Sequence, residues 1–273
     1  MGGRPSTAST SEWSGKDLGN RTVTYDETRA ILYALAVGAD ASDLDLVFEE
    51  RLRVLPTFAL TLAQWALDSL GAAGAFDSGT AVHGTQRLRV LKDLPRSGAV
   101  EMSARVAEVW DKGSAAVFDV AVESEYFEAI WSVFAPGAGG FGGERGPSAR
   151  RRPETPPSGT LDVRTATNQA ALYRLLGDRH HLHIDPEAAK TAGMPRPIMH
   201  GLCTLAALTL PLASSLGAHP ADLRELEGRF AAPVFPGDAL RVETWKDDDG
   251  ATIRFDAKAG DQTVISAAKV RFT

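Results

Sequence analysis

With 273 residues, 44% of them apolar, the chain has hydrophobic material for one large core or two of ordinary size. A net charge of -6 and a pI near 5.6, without a long basic run, argue against nucleic acid or an anionic membrane surface as the partner. A single cysteine, Cys203, excludes an internal disulfide and makes a reducing cytoplasm the expected compartment.

Residues 1–20 are Gly, Ser, Thr and charge with scattered apolar side chains, so they lack the core of a signal peptide and read as a disordered tail. No apolar run reaches the length of about 20 residues that spans a bilayer. From Tyr25 the chain turns apolar, and Ala30, Ile31, Ala34 and Leu35 predict a short helix ended by Gly38. Phe58, Leu62, Trp65, Ala66 and Leu70 then recur at helical spacing as far as Gly71, predicting one buried helix. From Val82 short Val- and Leu-rich segments are broken at Pro95–Gly98, at Asp111-Lys112-Gly113 and near Glu125, which is the pattern of an antiparallel meander. These elements make a first half over residues 21–135.

Residues 136–160 are dominated by Gly, Pro, Arg and Ser, include Arg150-Arg151-Arg152, and read as an interdomain linker. Over 161–273 the same succession returns. A short helix near Asn168–Leu176 precedes a longer one, whose Leu202, Leu205, Ala206, Thr209, Leu212, Ala213 and Leu216 form a stripe ending near Gly217. Pro211 is expected to kink or split it. Strands follow from about Leu226 to Phe272. Leu32-Tyr33-Ala34-Leu35 echoes Leu172-Tyr173-Arg174-Leu175, and Thr61-Leu62-Ala63 echoes Thr204-Leu205-Ala206, so the chain reads as an internal duplication. Each half is a helix with strands enough to wrap it, an α+β arrangement.

The halves differ where chemistry would lie. Between Asp178 and Asp185 the second half places two acids and three histidines, His180, His181 and His183, and His200-Gly201 follow at a helix start. The first half has Val37-Gly38, Asp43 and Thr57-Phe58 in the corresponding positions. Asp178 and His183, five apart, would point roughly 140° away from each other on one continuous helix. Gly177 fits a helix end and Asp185-Pro186 a helix start, so the stretch between them is expected to be a loop from which an acid and an imidazole reach one water. Gly201, first in its helix, offers an unpaired N–H and no side chain to obstruct a carbonyl oxygen. Such a donor stabilises enolate-like charge on a thioester.

His200 fits either a capping or packing role or a place in the site. A zinc site of His180, His181, His183 and Asp178 lacks the helix-based histidine spacing of zinc motifs, and no metal is expected. Cys203 reads as a packing residue of the apolar helix, and His83-Gly84, ahead of a strand, as structural.

The run Gly177-Asp178 … Leu182-His183 … Asp185-Pro186, followed by Pro197-Ile198-Met199-His200-Gly201, resembles the signature of the MaoC-like, (R)-specific 2-enoyl-CoA hydratases. That signature reads Gly-Asp-x-Asn-Pro-Leu-His, then Asp-Pro, then Pro-Ile-x-His-Gly. The first half is similar to the degenerate domain of the two-domain members at Val54–Phe58, Val82-His83-Gly84, Asp111-Lys112-Gly113 and Gly137–Arg145. The resemblance implies a double hotdog, two antiparallel sheets each wrapped around a long central helix. It implies a hydro-lyase that adds water to trans-2-enoyl thioesters, or removes it, with CoA or carrier-protein phosphopantetheine as part of the substrate and no further cofactor.

Asp178 and His183 would then hold and activate the water, with the acid and base roles unassigned, and the Gly201 N–H would bind the carbonyl. His180-His181 stands where the family has Asn-Pro, so His180, His181 and His200 are expected to bind substrate or shape the loop. The alternatives are a hotdog thioesterase or a noncatalytic acyl-thioester-binding subunit. A monomer and a homodimer both remain open.

Overall fold

The computed structural model describes residues 10–148 and 152–273. Residues 1–9 of the expected tail, and Arg150 and Arg151 of the basic cluster, lie outside the described residues. Each half supplies five strands. The first gives β1 (Asp17–Tyr25), β2 (Val82–Val90), β3 (Gly98–Asp111), β4 (Ala115–Glu123) and β5 (Phe127–Pro136). The second gives β6 (Gly159–Arg164), β7 (Leu223–Phe230), β8 (Ala239–Lys246), β9 (Thr252–Ala259) and β10 (Gln262–Phe272).

All neighbouring strands are antiparallel, in the order β1-β3-β4-β5-β2-β7-β10-β9-β8-β6. Counted outward from the β2–β7 seam, the two halves run in the same order, which is the duplication seen in the sequence. The two sheets expected separately are therefore the two wings of one ten-stranded sheet. At the seam Arg87 faces Glu227 and Arg89 faces Glu225, so opposite charges set the register of the join.

The helices pack on one face. In the second half α7 (Gly201–Leu216) is continuous and ends at Gly217 in a left-handed cap with φ 69°. Pro211 lies inside it without splitting it in two. Leu208, Leu212 and Ala213 are fully buried on either side of the proline and hold both turns to the sheet, offsetting the lost backbone hydrogen bond. In the first half the single helix expected over Phe58–Gly71 is instead α3 (Phe58–Leu62) and α4 (Trp65–Ala72). The bonds Ala66 N–H to Ala63 O and Leu67 N–H to Gln64 O tighten the turn between them. Short helices complete each half: α1 (Glu27–Ala36) and α2 (Leu44–Val47) in the first, α5 (Gln169–Tyr173) and α6 (Pro186–Thr191) in the second. Among the described residues, no helix is long and apolar enough to cross a membrane.

Two boundaries differ from the sequence reading. β1 begins at Asp17, inside the expected tail, and β6 begins at Gly159, inside the expected linker. Both are edge strands with one neighbour each and mostly exposed side chains, so they carry no apolar alternation. The connection itself is anchored. The Asp111 carboxylate accepts from the N–H groups of Gly113, Gly140 and Gly142, which hold its pKa down to about 2. A Cβ at Gly139 would lie 2.3 Å from the Ala115 carbonyl oxygen, so this approach needs glycine. Beyond the undescribed residues, Arg152 pairs with Glu243 at 2.6 Å and lies over the Trp245 ring, whose Nε1–H donates to Thr155 O. The described parts of the segment that composition marked as an interdomain linker are tied to the sheet by specific donors and acceptors.

Candidate active site

After α5 a 3₁₀ turn, Arg174–Leu176, ends at Gly177. Asp178 to Ile184 then forms the expected connection, with a second 3₁₀ turn at His181–His183. His180 organises it: its backbone N–H donates to Asp178 Oδ1 at 3.1 Å, and its ring Nδ1 accepts from Leu182 N–H at 3.2 Å. Asp185 caps α6 by accepting from Glu187 N–H, with Pro186 in the first turn, as its sequence position suggests.

The turn is fixed against the segment before α7. Ile198 N–H donates to Leu182 O, and Ile198 O faces His183 Nδ1 at 3.0 Å. A carbonyl only accepts, so Nδ1 carries the proton and His183 Nε2 is left as an acceptor. That nitrogen lies 4.0 Å from Asp178 Oδ2. The acid and imidazole that sequence placed five apart thus face each other across a gap too wide for a direct hydrogen bond.

His200 lies against both. Its Nε2–H donates to the Asp178 carbonyl at 3.1 Å. Its ring stacks on His183 at 3.6 Å with 24° between the planes, and on its other contact meets Tyr173 at 4.8 Å. His200 is buried, with Nδ1 lacking a partner. Burial first, then the neighbouring His183, lowers its pKa to about 4, and burial also lowers that of His183. Both rings are therefore neutral near pH 7.

Asp178, His183 and His200 bring one potential ligand atom each within 4.8 Å of one another. Imidazole lone pairs lie in the ring plane, and two nearly parallel rings at this spacing aim them past each other. The geometry suits proton transfer better than chelation.

Gly201 opens α7, and the first intrahelical bond, Thr204 N–H to His200 O, leaves the Gly201 N–H among the unpaired donors of the helix start. Packing adds a second reason for glycine to the one sequence suggested. A Cβ there would lie 2.9 Å from the Phe230 ring, so the space freed by the missing side chain is taken by Phe230 from the end of β7. His83 of β2 packs on the same ring at 4.6 Å, its Nε2–H donating to Thr85 O, and burial lowers its pKa to about 4.

The residues expected from sequence divide accordingly. Asp178, His183, His200 and Gly201 come together, and His180 shapes the turn. His181 does not join them: it is exposed, and its carbonyl, which accepts from Ile184 and Asp185 N–H, fixes the turn rather than its ring. A turn of three residues directs its first and third side chains apart, and His183 takes the inward position. Cys203 is buried with Sγ toward Ala36 O, and burial raises its pKa far above the usual thiol range, so it is a packing group and no nucleophile. Phe230 and Tyr173, both in contact with site residues, were not anticipated, because nothing local marks a strand-end or helix aromatic as facing a site.

A duplicated hotdog with one Asp/His turn beside a helix N-terminus is the architecture of acyl-thioester enzymes of the MaoC-like class. The chain belongs to the MaoC-like hydratase and dehydratase family: residues 148–270 match the MaoC like domain and residues 23–134 the MFE-2 hydratase 2 N-terminal domain. It is 33% identical to the 3-hydroxyacyl-thioester dehydratase Y of Mycobacterium tuberculosis, over 89% of this chain and 85% of that protein. It is 38% identical to the peroxisomal multifunctional enzyme type 2 of Mus musculus over 94% of this chain, which spans only 37% of the mouse protein. Among solved structures, a MaoC-like dehydratase from Phytophthora capsici shares the fold with a TM-score of 0.86 at 24% identity, over 98% of each chain.

Proposed function

We propose that this protein catalyses the reversible hydration of trans-2-enoyl thioesters to (R)-3-hydroxyacyl thioesters, as a hydro-lyase. The observation that carries this reading is the neutral His183, its unprotonated Nε2 turned toward the Asp178 carboxylate beside the N-terminus of α7. A water held between the two gives its proton to Nε2 as its oxygen bonds to the β-carbon, and Asp178 stabilises the imidazolium that forms. The thioester oxygen, taking up negative charge, lies at the Gly201 N–H. The α-carbon then takes a proton on the same face from the Asp178/His183 pair, which returns the proton taken from water and leaves both groups as they began.

CoA or carrier-protein phosphopantetheine belongs to the substrate, and the chain's own side chains suffice for the chemistry without a cofactor. Asp178, His183 and Gly201 all lie in the second half of one chain, so the proposed chemistry draws no named residue from a second copy. We keep a cytoplasmic location as the expectation from the single buried thiol, although the mouse relative is named as peroxisomal.

The test is the loss of the conjugated enoyl-thioester absorbance on adding enzyme, with the product's configuration analysed. Asp178→Asn and His183→Ala should each abolish the loss. Full turnover in both, or release of free thiol in place of hydration, would refute the assignment.

A further inference from the structure

The catalytic carboxylate follows a glycine at the end of a 3₁₀ turn, and such a junction swings unless its carbonyls are held. One of them, Asp178 O, is held from the second half by His200 Nε2–H. The other, Leu176 O, is the last carbonyl of its turn and has no helical donor. It accepts instead from Arg29 Nη2 at 3.0 Å, from α1 of the first half, 147 residues away in the chain. The same guanidinium donates through Nη1 to Thr24 O at the end of β1, at 3.3 Å. Arg29 is half-buried, and its own N–H is tied to the capping Asp26.

A planar fork with fixed donor directions ties two carbonyls into one geometry, which a flexible ammonium does not do. The first half, devoid of the Asp/His pair, thus reaches the backbone just ahead of Asp178. Where Tyr33 and Tyr173, equivalent residues of the duplication, face each other at 6.0 Å, α1 and α5 already lie side by side. This brings Arg29 to the turn that α5 continues into.

We propose that Arg29 is a positioning residue for the hydration reaction: it fixes the Leu176–Asp178 backbone and so the direction of the Asp178 carboxylate. The inference rests on the site reading given above. It gives the first half a role in the chemistry besides completing the fold.

The test compares Arg29→Met, Arg29→Lys and Arg53→Met in the full chain. Arg53 pairs with Asp222 at 2.6 Å and is a second tie between the halves, with no link to the catalytic turn. Arg29→Met should lower kcat by about tenfold to a hundredfold, the range expected for a misplaced catalytic group. KM should stay within about twofold, since no substrate contact is removed. Arg29→Lys should recover part of the loss, and Arg53→Met should leave kcat near wild type at a comparable fall in melting temperature.

Hydrogen exchange gives a readout independent of turnover: amides over 174–183 should exchange faster in Arg29→Met and not in Arg53→Met. Unchanged kcat in Arg29→Met, an equal loss in Arg53→Met, or unchanged exchange over 174–183 would each overturn the proposal. Retained activity in Asp178→Asn would instead sink the assignment of the carboxylate, and the exchange result would still decide whether Arg29 orders this backbone.

Discussion

His183 and His200 stack with ring centroids 3.6 Å apart, and one nitrogen of each ring faces a backbone carbonyl. Two imidazolium rings at that spacing would repel in a buried site, so the two rings are not charged together, and His200 stays neutral beside His183. His200, 3% exposed, has a folded pKa near 4 against 6.5 when free, mainly through burial. Its folded pKa is depressed, so the unfolded chain binds more protons between the two values. Its stabilising contribution is then present above about pH 6.5 and is lost as pH falls toward 4. The shift amounts to stability on the order of 3 kcal/mol. His83 has the same sign and the same window. Melting temperature measured against pH should fall across this window, less steeply in His200→Gln, which stays uncharged. Equal slopes in the two proteins would contradict the burial argument.

Gly201 and Phe230 give a second expectation. Gly201→Ala puts a methyl group 2.9 Å from the Phe230 ring, in a place where the helix start and the end of β7 are both held by the sheet. Overpacking of this kind costs about 1–3 kcal/mol. The displaced helix start also moves the proposed oxyanion donor, so kcat/KM should fall together with stability. Adding Phe230→Leu should restore much of the stability, and the double-mutant cycle should give a coupling energy clearly different from zero. Additive effects would show that the ring is not what confines this position.

Much of this site was legible because its parts are close in sequence. Gly177 ends a turn, Asp185-Pro186 starts a helix, and the loop between them can only be short, so Asp178 and His183 had to meet. The duplication was legible too, since both halves repeat the order of elements. What escaped were contacts made across the chain. Phe230 meets Gly201 only because α7 packs on β7, and Arg29 meets Leu176 only because α1 and α5 pack together. The edge strands β1 and β6 escaped for another reason: solvent on their exposed sides leaves polar residues where a hydrophobic alternation would have marked them.

His180 is where this chain departs from the Asn-Pro of the family signature, and its geometry assigns it a backbone task. Its Nδ1 accepts from Leu182 N–H, the bond by which an asparagine side-chain oxygen would close the same short turn. His180→Asn should therefore keep the turn and retain kcat within a few-fold, whereas His180→Ala removes the acceptor. Loss of such a cap costs about 0.5–2 kcal/mol, and because His183 sits in the same turn the effect should appear in kcat before it appears in KM. Full activity in His180→Ala would show that His183 holds its place through Ile198 alone.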